Sequence, residues 1–119
     1  MQKAIVLFSH GSRDPLWRAP IEAVAARIAA QHPARPVACA YLELCEPDLS
    51  TSVDALLTQG VTQINLLPVF FGMGKHARED WPAMLADLRQ RHPHVVFKAL
   101  PTAGESPAIT RLLAELALS

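Results

Sequence analysis

The sequence has no net charge, no closely spaced cysteine pair and no long apolar run. Eleven Lys and Arg balance eleven Asp and Glu, so the basic footprint of a nucleic-acid binder is missing and charge has to be read locally. The two cysteines, Cys39 and Cys45, do not form a C-x-x-C motif, which argues against a thioredoxin-type redox site and a zinc knuckle. Cys39 stands in an apolar run and reads as a small core residue, whereas Cys45 adjoins a candidate loop where a soft metal ligand is conceivable. No apolar stretch approaches the ~20 residues that cross a bilayer, and Met1 to Phe8 is too short for the apolar core of a signal peptide. The expectation is a soluble protein of the reducing cytoplasm, with neither membrane nor nucleic acid as partner. Linkers, low-complexity tracts and repeats are also lacking, so residues 1–119 are expected to form one domain.

What is present is a regular alternation. Half of the 119 residues are apolar and 18% are charged, enough to build a core, though at this length self-association is to be expected. Ala4-Ile5-Val6-Leu7-Phe8 is continuous, apolar and β-rich, the pattern of a central parallel strand. Pro15 to Gln31 reads as a helix with Ile21, Val24, Ala25, Ile28 and Ala29 on one face, ended by His32-Pro33. Val37 to Leu42 is a second strand. Glu46-Pro47-Asp48 is expected to start a helix, with Pro47 in its first turn and Leu49, Val53, Leu56 and Leu57 inward. Gly60 closes it, and Val61 to Phe70 is a third strand. A helix over Asp80 to Arg91 and a strand over His94 to Leu100 follow. Ser106-Pro107 then caps a last helix whose Ile109, Leu112, Leu113 and Leu116 are expected to face the core. This order predicts an α/β domain: an open, parallel, four-stranded sheet with helices on both faces.

In such sheets ligands bind outside the carboxyl ends of the strands, and those ends gather His10, Glu43 and His76. Two imidazoles and a carboxylate form a coherent set. Neutral imidazole suits Fe²⁺, Co²⁺, Ni²⁺ and Zn²⁺, while a carboxylate completes such a site or accepts protons. His32, His92 and His94 flank prolines or end helices and read as structural. A phosphate-accepting histidine is an alternative use of His-Gly after a strand, but enzymes of that kind place an arginine before the histidine, where this chain has Ser9.

The motifs Phe8-Ser9-His10-Gly11-Ser12-Arg13-Asp14-Pro15, Tyr41-Leu42-Glu43 with Glu46-Pro47, Leu67-Pro68-Val69-Phe70-Phe71, Gly74-Lys75-His76 and Asp80-Trp81-Pro82 together resemble the CbiX family of sirohydrochlorin chelatases, in its short single-domain form. The resemblance runs through nearly the whole chain, in order and at compatible spacing. It implies a chelatase-like (flavodoxin-like) lobe of the class II type. The implied activity is insertion of Co²⁺, Fe²⁺ or Ni²⁺ into sirohydrochlorin without ATP, the metal being a substrate and no organic cofactor being used. It places the metal on His10 and His76, with Glu43 as the matching glutamate, and gives these three the catalytic roles. Longer relatives carry two such lobes around one cleft, so a homodimer is implied.

Sirohydrochlorin is a macrocycle edged with carboxylates. Donors that suit it are Ser9, Ser12, Arg13, Lys75 and Arg78, with backbone N–H groups at Gly11, Gly72 and Gly74. Met73, Phe71, Trp17 and Trp81 are candidates for contact with the ring face, although residues of these types more often pack a core. A metal or tetrapyrrole carrier without turnover would use the same histidines and is the rival reading.

Overall fold

The computed structural model describes residues 2–119. Among them, four strands, β1 (Gln2–Ser9), β2 (Val37–Tyr41), β3 (Val61–Pro68) and β4 (Val96–Ala99), alternate with four helices, α1 (Ala19–Gln31), α2 (Leu49–Leu57), α3 (Lys75–Arg91) and α4 (Pro107–Leu118). Every strand pair is parallel, in the order β2-β1-β3-β4. The expected open parallel α/β sheet is therefore what the chain forms.

The order explains where the helices lie. From β1 the chain steps outward to β2, then returns past β1 to β3 and β4. Right-handed crossovers in opposite directions put α1 on one face and α2 and α3 on the other. On the second of these faces Val6, Phe8, Ile64 and Leu66 pack with Val53 and Leu56 of α2 and Leu88 of α3. On the first, Leu7 packs with Ile21 of α1 and with Tyr41, flanked by Ala25, Ile28, Leu67 and Val69. Coverage from both sides is why β1 is an unbroken apolar run, with Ala4, Val6 and Leu7 wholly buried.

Three local expectations need correction. Helix α3 begins at Lys75, not Asp80, and runs through Pro82. Gly74 caps it in an extended conformation, and Ala77 in its first turn is buried in the core, so packing extends the helix ahead of a proline that reads as a first-turn residue. Pro47 lies outside α2: Asp48 is the N-cap, its carboxylate accepting the Thr51 N–H at 2.8 Å.

The third correction concerns α4. None of its residues is buried, and it packs chiefly on the short turn Ala103–Glu105 that precedes it. Leu112, Leu113 and Leu116 expose 48%, 43% and 70% of their surface. The reason lies in the strand face that alternates with the core residues of β3. It carries Gln63 and Asn65, bonded to each other at 3.4 Å, and a leucine stripe gains little by covering such amides.

Candidate functional site

β1 and β3 are neighbours at the point where the strand order reverses, so the chain leaves their carboxyl ends toward opposite faces and opens a crevice there. The backbone holds this edge together. The Leu42 N–H donates to the Ser9 carbonyl at 2.8 Å and the Glu43 N–H to the His10 carbonyl at 3.0 Å. The loop after β2 thus runs beside the loop after β1, with His10 and Glu43 paired through their backbones. Gly11 is required there. Its φ is +98°, and a Cβ would drive into the Glu43 carbonyl. On the other side the Val69 N–H donates to the Phe8 carbonyl at 2.6 Å, and the Gly104 N–H to the Phe70 carbonyl at 2.8 Å.

His10 is exposed but its ring is not unsupported. It meets Phe70 edge-on, centroids 4.6 Å apart at 83°. Phe70 is buried and meets Phe8 at 5.9 Å, and Phe8 stacks on Trp81 of α3 at 5.3 Å. An aromatic column therefore runs from α3 through β1 to His10, and Trp81, partly buried, packs against the core. Sequence reasoning names Phe70 in a motif but misses its role beside His10. His76 is exposed on the first turn of α3, next to Ala77, which belongs to the same core as Phe70.

The remaining candidates divide. Arg13, Lys75 and Arg78 are exposed, and among the described residues none of them forms an ion pair. Ser12 Oγ accepts the Asp14 N–H at 3.0 Å, which commits part of its bonding capacity to the loop. Gly72 and Gly74 are open to solvent, Met73 packs on the core beneath them, and Phe71 stands 77% exposed. Ser9 is buried, its Oγ without a partner, in an apolar slot with Leu16, Trp17 and Val69 on the α1 side. Glu43 is exposed and lines a recess of about 480 Å³ with Cys45, Glu46 and Asp48. Among the described residues no three His, Cys, Asp or Glu side chains are grouped so as to hold a metal. One chain thus does not close His10, Glu43 and His76 into a three-ligand cage.

Burial and charge explain the groups beside the site. Burial pushes the Tyr41 phenol up to about 12, aided by Cys39, Glu22 and Cys45 and opposed by Arg18. Burial also raises the Cys39 thiol, with Glu22 adding to the effect, and its Sγ–H points at the Ile21 carbonyl, 3.9 Å away. A protonated, half-buried Cys39 agrees with the structural reading of that residue. Another recess, of about 720 Å³, lies at the opposite end of the sheet around Gln2, His32 and Arg35. Strands begin at that end, so the topology gathers no loops of this kind there.

The sequence matches the CbiX family model over residues 4–118. A sirohydrochlorin cobaltochelatase of Methanopyrus kandleri is 37% identical over 82 residues, 69% of this chain and 57% of that protein. A sirohydrochlorin ferrochelatase of Bacillus subtilis is 34% identical over 97 residues, 80% of this chain and 36% of that one. The chain thus spans little more than half the length of the first relative and about a third of the second. Among solved structures, a putative cobalamin biosynthesis CbiX protein of Marinobacter aquaeolei superposes with a TM-score of 0.83 at 32% identity, covering 98% of this chain and 94% of that one. The cobalt complex of the Bacillus chelatase SirB superposes with a TM-score of 0.81 at 25% identity, covering 99% of this chain and 50% of SirB. On the family match over residues 4–118, supported by these likenesses, the chain belongs to the CbiX family.

Proposed function

We propose that the chain is a sirohydrochlorin chelatase that inserts a divalent metal, cobalt or its neighbours iron and nickel, into the macrocycle without ATP. The observation that carries this reading is His10, exposed at the β1–β3 crevice and braced by Phe70 at 4.6 Å. A fixed imidazole facing solvent suits a ligand that takes up a metal and then releases it. His10 and His76 hold the metal weakly, with positions left open toward the ring. A closed four-ligand site would retain it. Glu43, exposed at the same sheet edge, is assigned the pyrrole protons, taking each in turn and passing it to solvent as the metal enters. Arg13, Lys75 and Arg78 bind the peripheral carboxylates of the substrate. The N-terminal turn of α3 adds backbone N–H groups and the favourable end of the helix dipole.

A homodimer in the cytoplasm completes the proposal. The experiment is anaerobic turnover with a several-fold excess of sirohydrochlorin over protein and Co²⁺, Fe²⁺ or Ni²⁺ supplied in turn, followed by absorbance. Many turnovers per chain with at least one metal are expected. A single stoichiometric uptake with no turnover would identify a carrier instead.

A further inference from the structure

Ser9 stands one residue before His10 and turns to the other side of the sheet. Phe8 packs toward α2 and α3, so alternation along β1 sends Ser9 toward α1. Only 3% of Ser9 is exposed, and its Oγ has no hydrogen-bond partner. It lines a slot of about 470 Å³ whose walls include Leu16, Trp17, Ile21, Val24 and Val69. A buried hydroxyl without a partner is uncommon in a native chain and calls for one. The rim of the slot is fixed by its own loop. The Asp14 carboxylate accepts the Leu16 N–H at 2.9 Å, and the Asp14 carbonyl accepts the Trp17 N–H at 3.0 Å. The Trp17 ring also meets Tyr41, centroids 6.4 Å apart. Leu16 and Trp17 are thus held in place while exposing 80% and 41% of their surface. Metal binding and proton removal at His10, His76 and Glu43 make no use of this slot.

We propose that this slot selects the macrocycle by its rim: it takes the methyl group on a tetrahedral ring carbon, while Ser9 Oγ donates to the acetate on that same carbon. The inference rests on the chelatase reading and adds to it a device that separates one tetrapyrrole from another. Sirohydrochlorin and uroporphyrin III carry the same carboxylate side chains. They differ at the tetrahedral carbons of sirohydrochlorin, each of which bears a methyl beside its acetate. The corresponding porphyrin carbons are planar and unmethylated. Arg13, Lys75 and Arg78 meet the same charge on both molecules and cannot tell them apart. An apolar slot with one hydroxyl can, because the methyl leaves water and the acetate, swung out of the ring plane, reaches the hydroxyl. The placement fits this use. Ser9 and His10 are consecutive, their Cα atoms about 3.8 Å apart, and Val69 adjoins Phe70, which braces the His10 ring. A macrocycle centred over His10 therefore carries its rim to the slot. A purely apolar occupant, such as a leucine stripe of a second copy, would fill the walls but leave Ser9 Oγ unpaired.

The test is equilibrium binding of metal-free sirohydrochlorin and of uroporphyrin III, followed anaerobically by absorbance, with light scattering as a second readout. The wild type should bind sirohydrochlorin about tenfold more tightly, of which one buried methyl supplies about fourfold. Val24→Phe fills the slot from α1, where Val24 is 44% exposed, and should weaken sirohydrochlorin about tenfold while uroporphyrin III stays within about twofold. Ser9→Ala keeps the slot and removes the hydroxyl. It should weaken sirohydrochlorin about fivefold and again spare uroporphyrin III, with circular dichroism unchanged in both variants. Equal binding of the two macrocycles by the wild type would overturn the inference alone, as would a preference that survives both substitutions. A Val24→Phe protein whose mass in light scattering changes while the preference stays would also overturn it, by showing that protein covers the slot. Failure to bind either macrocycle would overturn the functional reading, and this inference with it.

Discussion

Replacing Gly11 by alanine should loosen the edge of the sheet where His10 stands, without touching any proposed ligand. An L-residue at φ +98° costs about 1–3 kcal/mol. The new methyl also meets the Glu43 carbonyl, so the loops after β1 and β2 must separate. Losing the 3.0 Å bond from the Glu43 N–H to the His10 carbonyl adds about 0.5–1.5 kcal/mol. Together these give roughly 2–4 kcal/mol, or a fall in Tm of about 6–20 °C for a domain of this size. Gly72→Ala is the control. Its φ is not positive and nothing lies within 4 Å of the added carbon, so a change within about 0.5 kcal/mol is expected. Thermal melting by circular dichroism measures both. A Gly11→Ala protein that melts within about 2 °C of wild type would refute the reasoning that this glycine is a steric necessity.

Further perturbations probe other links. Phe70→Leu should cost less than about 1.5 kcal/mol yet free the His10 ring, lowering the rate of metal insertion by tenfold or more; Phe70→Ala should cost about 3–5 kcal/mol in a denaturant titration. Tyr41 is the single tyrosine of the chain, so ultraviolet titration should show no tyrosinate until the pH nears its raised value of about 12. Because the folded pKa lies above the unfolded one near 10, Tyr41 favours the folded state below about pH 10, and that contribution is lost as the pH rises toward 12. Asp48→Ala removes the α2 cap at a cost of about 1 kcal/mol. The Thr51 hydrogen bonds hold the Asp48 carboxyl below its ordinary value of 3.8, so its contribution is present above that value. Denaturation curves should show the gap between wild type and Asp48→Ala closing as the pH falls below about 4.

The fold was readable because its strong signals are long and periodic. The unbroken run of β1 requires cover on both faces, and the leucine spacings of α2 state which side is inward. What was less readable depended on contacts distant in sequence. The sequence pattern puts the start of α3 at Asp80, yet the helix begins five residues earlier, at Lys75, because Ala77 finds a place in the core. The stripe of α4 identified a helix correctly but not what it packs against, since the polar Gln63 and Asn65 that make the neighbouring strand face unattractive sit more than forty residues away. At the site, His10, Glu43 and His76 could be assigned to the same edge from topology and resemblance. Phe70 could not be given its role, because bracing a histidine across two strands leaves no local pattern. Ser9 is expected as a donor to the substrate, whereas strand alternation turns it inward to the α1 face.

The measurement that bears most directly on the account is the initial rate of Co²⁺ insertion into sirohydrochlorin, compared under the same conditions for wild type, His10→Ala and His76→Ala. The account predicts turnover by the wild type and a fall of at least a hundredfold in each variant, with circular dichroism unchanged because both side chains are exposed. Rates within a few-fold of wild type in both folded variants would contradict it.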